Sequence, residues 1–277
     1  MQRAVELRRT ARDIMKNEYF NQEYKPSVIM QKTCEWIEKA MDAKTRKEAH
    51  DCYLNAVEVY KEINEEDIVL AKFYVKLGDT AEKEEDQIDY YMKSLVIHNK
   101  FGSMTMTLAK IYYKLGTKQK VGSEAKQIEY LQKAIKTCDH VGIENVTKAK
   151  ACSHLGNLVK DKDQRKKYYN DALRIFEHLK KIKEELANTY FNVTSLLEND
   201  NEITENSKKA IVVFEELKIK SVTKANSYRI AAKQARKAGH IEEANNYARL
   251  AYDSYKSLLY PENEKADEVA KEFNLSV

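Results

Sequence analysis

Basic and amide side chains recur at fixed distances from a repeated Leu-Gly dipeptide. Its clear copies are Leu77-Gly78, Leu115-Gly116 and Leu155-Gly156, and Val193-Thr194 and Ala231-Ala232 take its place further on. The residue before each pair and the one four positions earlier share a helix face. These two columns read Lys76, Lys114, His154, Asn192, Ile230 and Lys72, Lys110, Lys150, Asn188, Asn226. The residues that follow the pairs are Asp79, Thr117, Asn157, Ser195 and Lys233, with Arg229 nearby.

These residue types indicate binding of an anionic or extended ligand. Lysine and arginine hold carboxylates or phosphates, and asparagine both donates hydrogen bonds to a peptide backbone and accepts them from it. Asp79 is the only acid among the fifteen column positions. The pattern therefore predicts a surface that is basic in its first half and amide-rich in its second. The alternative is that the lysines are simply solvated and the asparagines neutral.

Catalytic chemistry finds little support in the sequence. The six histidines fall on separate predicted helices, and only His154 belongs to the columns. The chain has no HExxH, no glycine-rich phosphate loop and no GxSxG motif. The acidic residues between Glu82 and Asp89 fit a helix start, where negative charge is favourable anyway. We therefore expect no enzymatic activity, no cofactor and no metal site.

The elements that carry the columns are predicted to be helices. Seven glycines and two prolines leave little material for tight turns, while 43% apolar and 33% charged residues suit long amphipathic helices. Small residues recur about every 39 positions, at Ala56, Ser94, Ala134, Ala172, Ala210 and Ala251. Each belongs to the second helix of a pair, which gives six pairs at 27–63, 66–100, 103–142, 145–180, 183–219 and 222–259. Gly102, Gly142 and Gly239 are predicted helix ends, and Ser103, Asn145 and Ser221 predicted N-caps.

The last pair resembles a tetratricopeptide repeat in its small and aromatic positions. These are Tyr228, Ala231, Ala232, Ala235, Gly239, Ile241, Ala244, Tyr247, Ala248 and Ala251. The resemblance covers about residues 27–259 and implies an all-α, right-handed superhelical solenoid, with the first helix of each pair on the concave face. We expect an N-terminal helix or cap in residues 1–26 and a capping helix in residues 260–277. The recurrent tyrosines, such as Tyr90, Tyr91 and Tyr169, are expected to pack between helices.

The repeat is longer than the usual one of about 34 residues. That length is similar to kinesin light chains, Pins-like adaptors and the peptide-sensing regulators of Gram-positive bacteria. The segment YYNDALRIFEHLKKIKEELANTYFNVTSLLE looks most like the last group, the Rap, NprR and PlcR class. This resemblance implies a regulator or sensor that binds a peptide. Residues 1–26 are too few for the effector domains of that class, so a passive adaptor remains the alternative.

The expected partner is a protein or peptide segment, acidic or extended. An RNA-binding solenoid is disfavoured, because the column lysines stop after Lys150 and net charge is only +4. Apolar runs fall short of a membrane span, and the four cysteines form no pair motif, so a cytoplasmic protein is expected. The oligomeric state stays open, with a homodimer among the options.

Overall fold

The fold of the described residues is entirely helical. A computed structural model describes residues 28–62, 66–102, 104–179 and 183–276, and this part of the chain holds thirteen α-helices, a short 3₁₀ turn at Gln119–Val121 and no strand. The helices of the first half are α1 Val28–Asp42, α2 Arg46–Lys61, α3 Ile68–Thr80, α4 Glu84–Lys100, α5 Met106–Gly116 and α6 Glu124–Val141. Those of the second half are α7 Val146–Leu158, α8 Lys162–Leu179, α9 Lys183–Thr194, α10 Asp200–Leu217, α11 Val222–Lys237, α12 Ile241–Lys256 and α13 Asn263–Phe273.

Consecutive helices pack as hairpins. Helix α1 packs on α2, α3 on α4, α5 on α6, α7 on α8, α9 on α10 and α11 on α12, and α13 packs on α12. The six predicted pairs and the all-α repeat fold are confirmed. The predicted N-terminal helix of residues 1–26 lies outside the described residues, and the division of the chain at residues 26 and 259 stays a prediction.

The helices form two compact units. The first unit contains α1 to α6 and ends at Val141, and the second contains α7 to α13 and begins at Gly142. In the second unit, Ala225, Ala248 and Val269 belong to one buried cluster that joins α11, α12 and α13.

The glycine of the Leu-Gly dipeptide lets the two helices of a pair approach closely. A Cβ atom at Gly78 would lie 2.5 Å from Cε1 of Tyr91, and one at Gly156 would lie 2.6 Å from Cε1 of Tyr169. Both tyrosine side chains are buried, as the sequence predicts. The dipeptide therefore marks the contact at which the second helix of a pair lies against the first, and it fixes the position of the residue that follows it.

Local capping explains where the helices begin and end. Asn145 and Ser221 are N-caps as predicted, since their side chains accept hydrogen bonds from backbone N–H groups in the first turns of α7 and α11. Helix α5 instead has Thr105 as its N-cap, and Ser103 lies outside the described residues. Gly102, Gly142 and Gly239 follow helix ends with φ values of 60°, 71° and 80°, in the left-handed region that glycine enters most easily.

Candidate peptide-binding surfaces

The lysine face of the first unit consists of Lys72 and Lys76 on α3 and Lys110 and Lys114 on α5. The charges of Lys110 and Lys114 act on Lys76. Burial lowers the pKa of Lys76; nearby Asp79 opposes this shift, and the positive charges of Lys110 and Lys114 lower the pKa further. Lys76 is half-buried and Lys110 exposed. Lys72 instead contributes to the lowered pKa of the buried His98.

Asp79 connects the lysine face to the packing of its helix pair. Its Oδ1 lies 2.9 Å from Nζ of Lys114, and the hydroxyl of Tyr91 donates a hydrogen bond to the same oxygen over 2.7 Å. Burial raises the pKa of Tyr91, and the charge and hydrogen bond of Asp79 add to the effect, so Tyr91 stays a donor. The tyrosine that packs on Gly78 thus also holds the acid that pairs with Lys114.

The amide surface of the second unit consists of Asn157 on α7 and of Asn188 and Asn192 on α9. Nδ2 of Asn192 donates to Oδ1 of Asn157 over 3.2 Å, and the hydroxyl of Tyr169 donates to the same oxygen over 2.6 Å. Within the described part of the chain, Nδ2 of Asn157, Oδ1 of Asn192 and the whole Asn188 amide have no hydrogen-bond partner. The surface therefore offers both donors and acceptors, and half-buried Asn188 and Asn192 lie one helical turn apart.

Lys150 and His154 both lie on α7. The charge of Lys150 is balanced by an acid, and His154 is uncharged at pH 7. Nζ of Lys150 lies 2.5 Å from Oε1 of Glu185 on α9. Burial lowers the pKa of His154, and the charge of Lys150 lowers it further, so His154 is neutral at pH 7. Glu185 is outside the columns, which is why the sequence pattern did not reveal it.

Asn226, Arg229 and Lys233 on α11 are occupied within the second unit. Arg229 donates from Nε and Nη2 to Glu272 over 3.1 and 3.0 Å and from Nη1 to Glu268 over 2.9 Å. Lys233 lies 3.2 Å from Glu272, and Oδ1 of Asn226 accepts a hydrogen bond from Tyr255. These three residues hold α12 and α13 in place. In the sequence, the i, i+4 spacing of Glu268 and Glu272 was the pattern that could have revealed their acidic partners.

Two cations that the columns do not include lie near the lysine face. Arg46 donates from Nε to the carbonyl of Thr80 over 3.0 Å and from Nη2 to that of Ala81 over 2.6 Å. Lys118 donates to the amide oxygen of Gln87. Arg46 and Lys114 both contribute to the lowered pKa of Lys118, whose main cause is burial. Lys118 follows the end of α5, and Arg46, the first residue of α2, binds carbonyls at the end of α3, so the column spacing does not describe either position.

Within the described residues, no three His, Cys, Asp or Glu side chains come together as metal ligands do. No helix among them combines the length and the apolar character that a membrane span requires.

The chain matches no protein-family model and no curated protein, but its fold is similar to several solved structures. The apo form of RapI aligns with a TM-score of 0.69 at 13% identity, over 99% of this chain and 82% of RapI. A Rap protein complexed with Competence and Sporulation Factor gives 0.54 at 12% identity, over 98% and 92%. A signal transduction ATPase with a tetratricopeptide repeat sensor from Pyrococcus horikoshii gives 0.57 at 14% identity, over 98% of this chain and 46% of that protein. The fold is that of a tetratricopeptide-like helical repeat and resembles Rap proteins, as the sequence predicts.

Proposed function

We propose that the protein is a non-enzymatic, peptide- or protein-binding regulator or sensor of the cytoplasm. The observation that carries the proposal is the amide surface, where Asn157 and Asn192 are joined by a hydrogen bond and Asn188 lies one turn away. An extended peptide has alternating N–H and C=O groups, and side-chain amides match both without reading the peptide side chains.

Two asparagines of the amide surface, Asn157 and Asn192, are held in place before a ligand arrives. Tyr169 packs against Gly156 and fixes Asn157 through its hydroxyl, and Asn157 in turn orients Asn192. Side chains that are already ordered lose less conformational entropy when they bind. This arrangement favours a specific binding surface over neutral solvated amides. The fold similarity to a Rap protein complexed with Competence and Sporulation Factor gives further support.

The lysine face recognises acidic groups on a partner of the same class, a peptide or protein segment. Lys72, Lys76 and Lys110 form no ion pair in the part of the chain that the structure describes, so their charges are available to a ligand. Arg229 and Lys233 contribute less, because α13 already neutralises them.

The proposal is tested by capture of partners from the native host, followed by identification of the bound peptide and a titration with it. Changing Asn188 or Asn192 to alanine should weaken binding by about 1 to 3 kcal/mol, because a desolvated backbone group of the peptide loses its partner. The matched control is Asn246→Ala, since Asn246 is exposed on α12. Unchanged affinity in both test variants would refute the role of the amide surface.

A passive adaptor is the second candidate. Leu259 and Tyr260 lie between α12 and α13 with 88% and 85% of their surfaces exposed, as expected of residues that contact another protein. Changing both to serine should abolish capture of an adaptor's partner and leave a peptide on the amide surface unaffected.

A further inference from the structure

The lysine cluster of the first unit carries more positive charge than its own acids neutralise. The cluster consists of Arg46, Lys76, Lys110, Lys114 and Lys118. We propose that it is a binding site for a dianionic phosphoryl group on the protein or peptide segment that the protein binds. The inference rests on the proposed function, because the phosphoryl group is carried by the protein or peptide that the chain binds. It adds the chemical group that this cluster recognises.

The charges of the cluster are unbalanced. Lys110, Lys114 and Asp79 act on Lys76, and Arg46, Lys114, Asp79 and Glu84 act on Lys118. The two groups share Lys114 and Asp79, whose side chains pair, so together five cations have two carboxylates between them, an excess of three positive charges among the described residues. Glu84 also accepts a hydrogen bond from the backbone N–H of Lys120 over 2.8 Å. Asp79 acts on Lys76 and also pairs with Lys114, so its single negative charge cannot offset both lysines.

The positions of the cations are fixed by the fold. Lys114 is held by Asp79 across α3 and α5, and Lys118 by Gln87 of α4. Arg46 of α2 is held by two backbone carbonyls instead of a carboxylate. Lys76 is half-buried within reach of the charges of Asp79, Lys110 and Lys114, and it has no ion-pair partner in the described residues. Like charges that are held close together and partly out of water repel each other, which destabilises the folded chain. An anion that binds there relieves the repulsion, and this relief contributes to its affinity.

The residue types are compatible with a phosphoryl group, and the size of the charge excess favours it over a carboxylate. Arginine binds carboxylates and phosphates through its planar fork, whereas lysine is a point charge that suits a phosphoryl group with its several charged oxygens. The single arginine of the cluster already donates to carbonyls, so lysines remain for the ligand. A phosphoryl group carries about −1.5 to −2 charges at pH 7, which matches the excess of three better than the single charge of a carboxylate.

The test uses the full chain and calorimetric titration with inorganic phosphate and with Gly-Gly-phosphoserine-Gly-Gly at constant ionic strength. Both probes should bind, and Lys76→Met or Lys110→Met should weaken each by about tenfold, the loss expected for one hydrogen bond to a charged group. The matched control is Lys136→Met, which removes one exposed charge from α6. NMR of the lysine Nζ groups should show that phosphate raises the lowered pKa of Lys76 and that acetate does not.

Three results would overturn the inference. One is equal affinity of the wild type and both cluster variants, and another is equal binding of the peptide with aspartate in place of phosphoserine. The third is tight binding of an oligouridylate together with no preference for phosphoserine over serine in the peptide, which would point to nucleic acid. The outcome is separable from that of the proposed function, since Asn192→Ala should leave phosphate binding unchanged and the Lys76 variant should leave the amide surface intact.

Discussion

The hydroxyl group of Tyr169 donates to Oδ1 of Asn157 over 2.6 Å, while the ring of Tyr169 occupies the space that a Cβ atom on residue 156 would need. One side chain therefore closes the helix pair and orients a residue of the amide surface. Tyr91 has the same two relationships with Gly78 and Asp79 in the first unit. The repeat thus links its packing to its exposed polar residues.

We expect Tyr169→Phe to keep the packing and to remove the hydrogen bond to Asn157. The free energy of unfolding should fall by about 1 kcal/mol, which is typical of one buried hydrogen bond, and peptide affinity should fall because Asn157 is no longer fixed. Urea denaturation and calorimetric titration measure the two effects. Tyr168→Phe serves as the control, and an unchanged affinity in Tyr169→Phe would show that the hydroxyl does not organise the surface.

Gly78→Ala should destabilise the first unit by about 1 to 3 kcal/mol, the usual cost of overpacking. The added methyl group would lie 2.5 Å from the Tyr91 ring, so the two helices must separate. Combining Gly78→Ala with Tyr91→Leu should recover part of this loss, because leucine leaves room for the methyl group. Additive effects of the two changes in urea denaturation would contradict the contact.

Arg229→Met should weaken the attachment of α13 and leave the amide surface intact. Arg229 is 23% exposed and binds Glu268 and Glu272, so losing it leaves two acids of α13 without their main partner. Hydrogen exchange in residues 263–273 should become faster, and exchange in α7 and α9 should not change. Exchanging the charges, as in Arg229→Glu with Glu272→Arg, should restore part of the protection. Reduced peptide binding with normal protection of α13 would mean that Arg229 contacts the ligand instead.

Much of the fold was predictable because it depends on local signals. Amphipathic periodicity, the Leu-Gly dipeptide and caps such as Asn145 and Ser221 are all read within one or two helical turns of sequence. The partners of the site residues were not predictable in this way. Glu185 lies 35 positions after Lys150, and Glu272 lies 43 positions after Arg229, so only the stacking of helices shows which acid reaches which base.

His98 should make the stability of the first unit sensitive to mild acid. Its side chain is completely buried on α4; its Nδ1–H donates to the carbonyl of Ser94 over 3.0 Å, and its Nε2 has no partner in the described residues. Burial lowers its pKa from the ordinary value of 6.5, the Ser94 hydrogen bond opposes this shift, and the charge of Lys72 adds to the lowering.

The unfolded chain therefore binds a proton at a higher pH than the folded chain does. The stability that His98 contributes should be complete above pH 6.5 and should be lost as the pH falls from 6.5 through the lower folded value. Urea denaturation between pH 8 and pH 5 measures this loss. His98→Gln cannot take up the proton, so its stability should vary less with pH, whereas the control His178→Gln, at an exposed position of α8, should behave as the wild type does. An equally steep pH dependence in His98→Gln would assign the effect to another group.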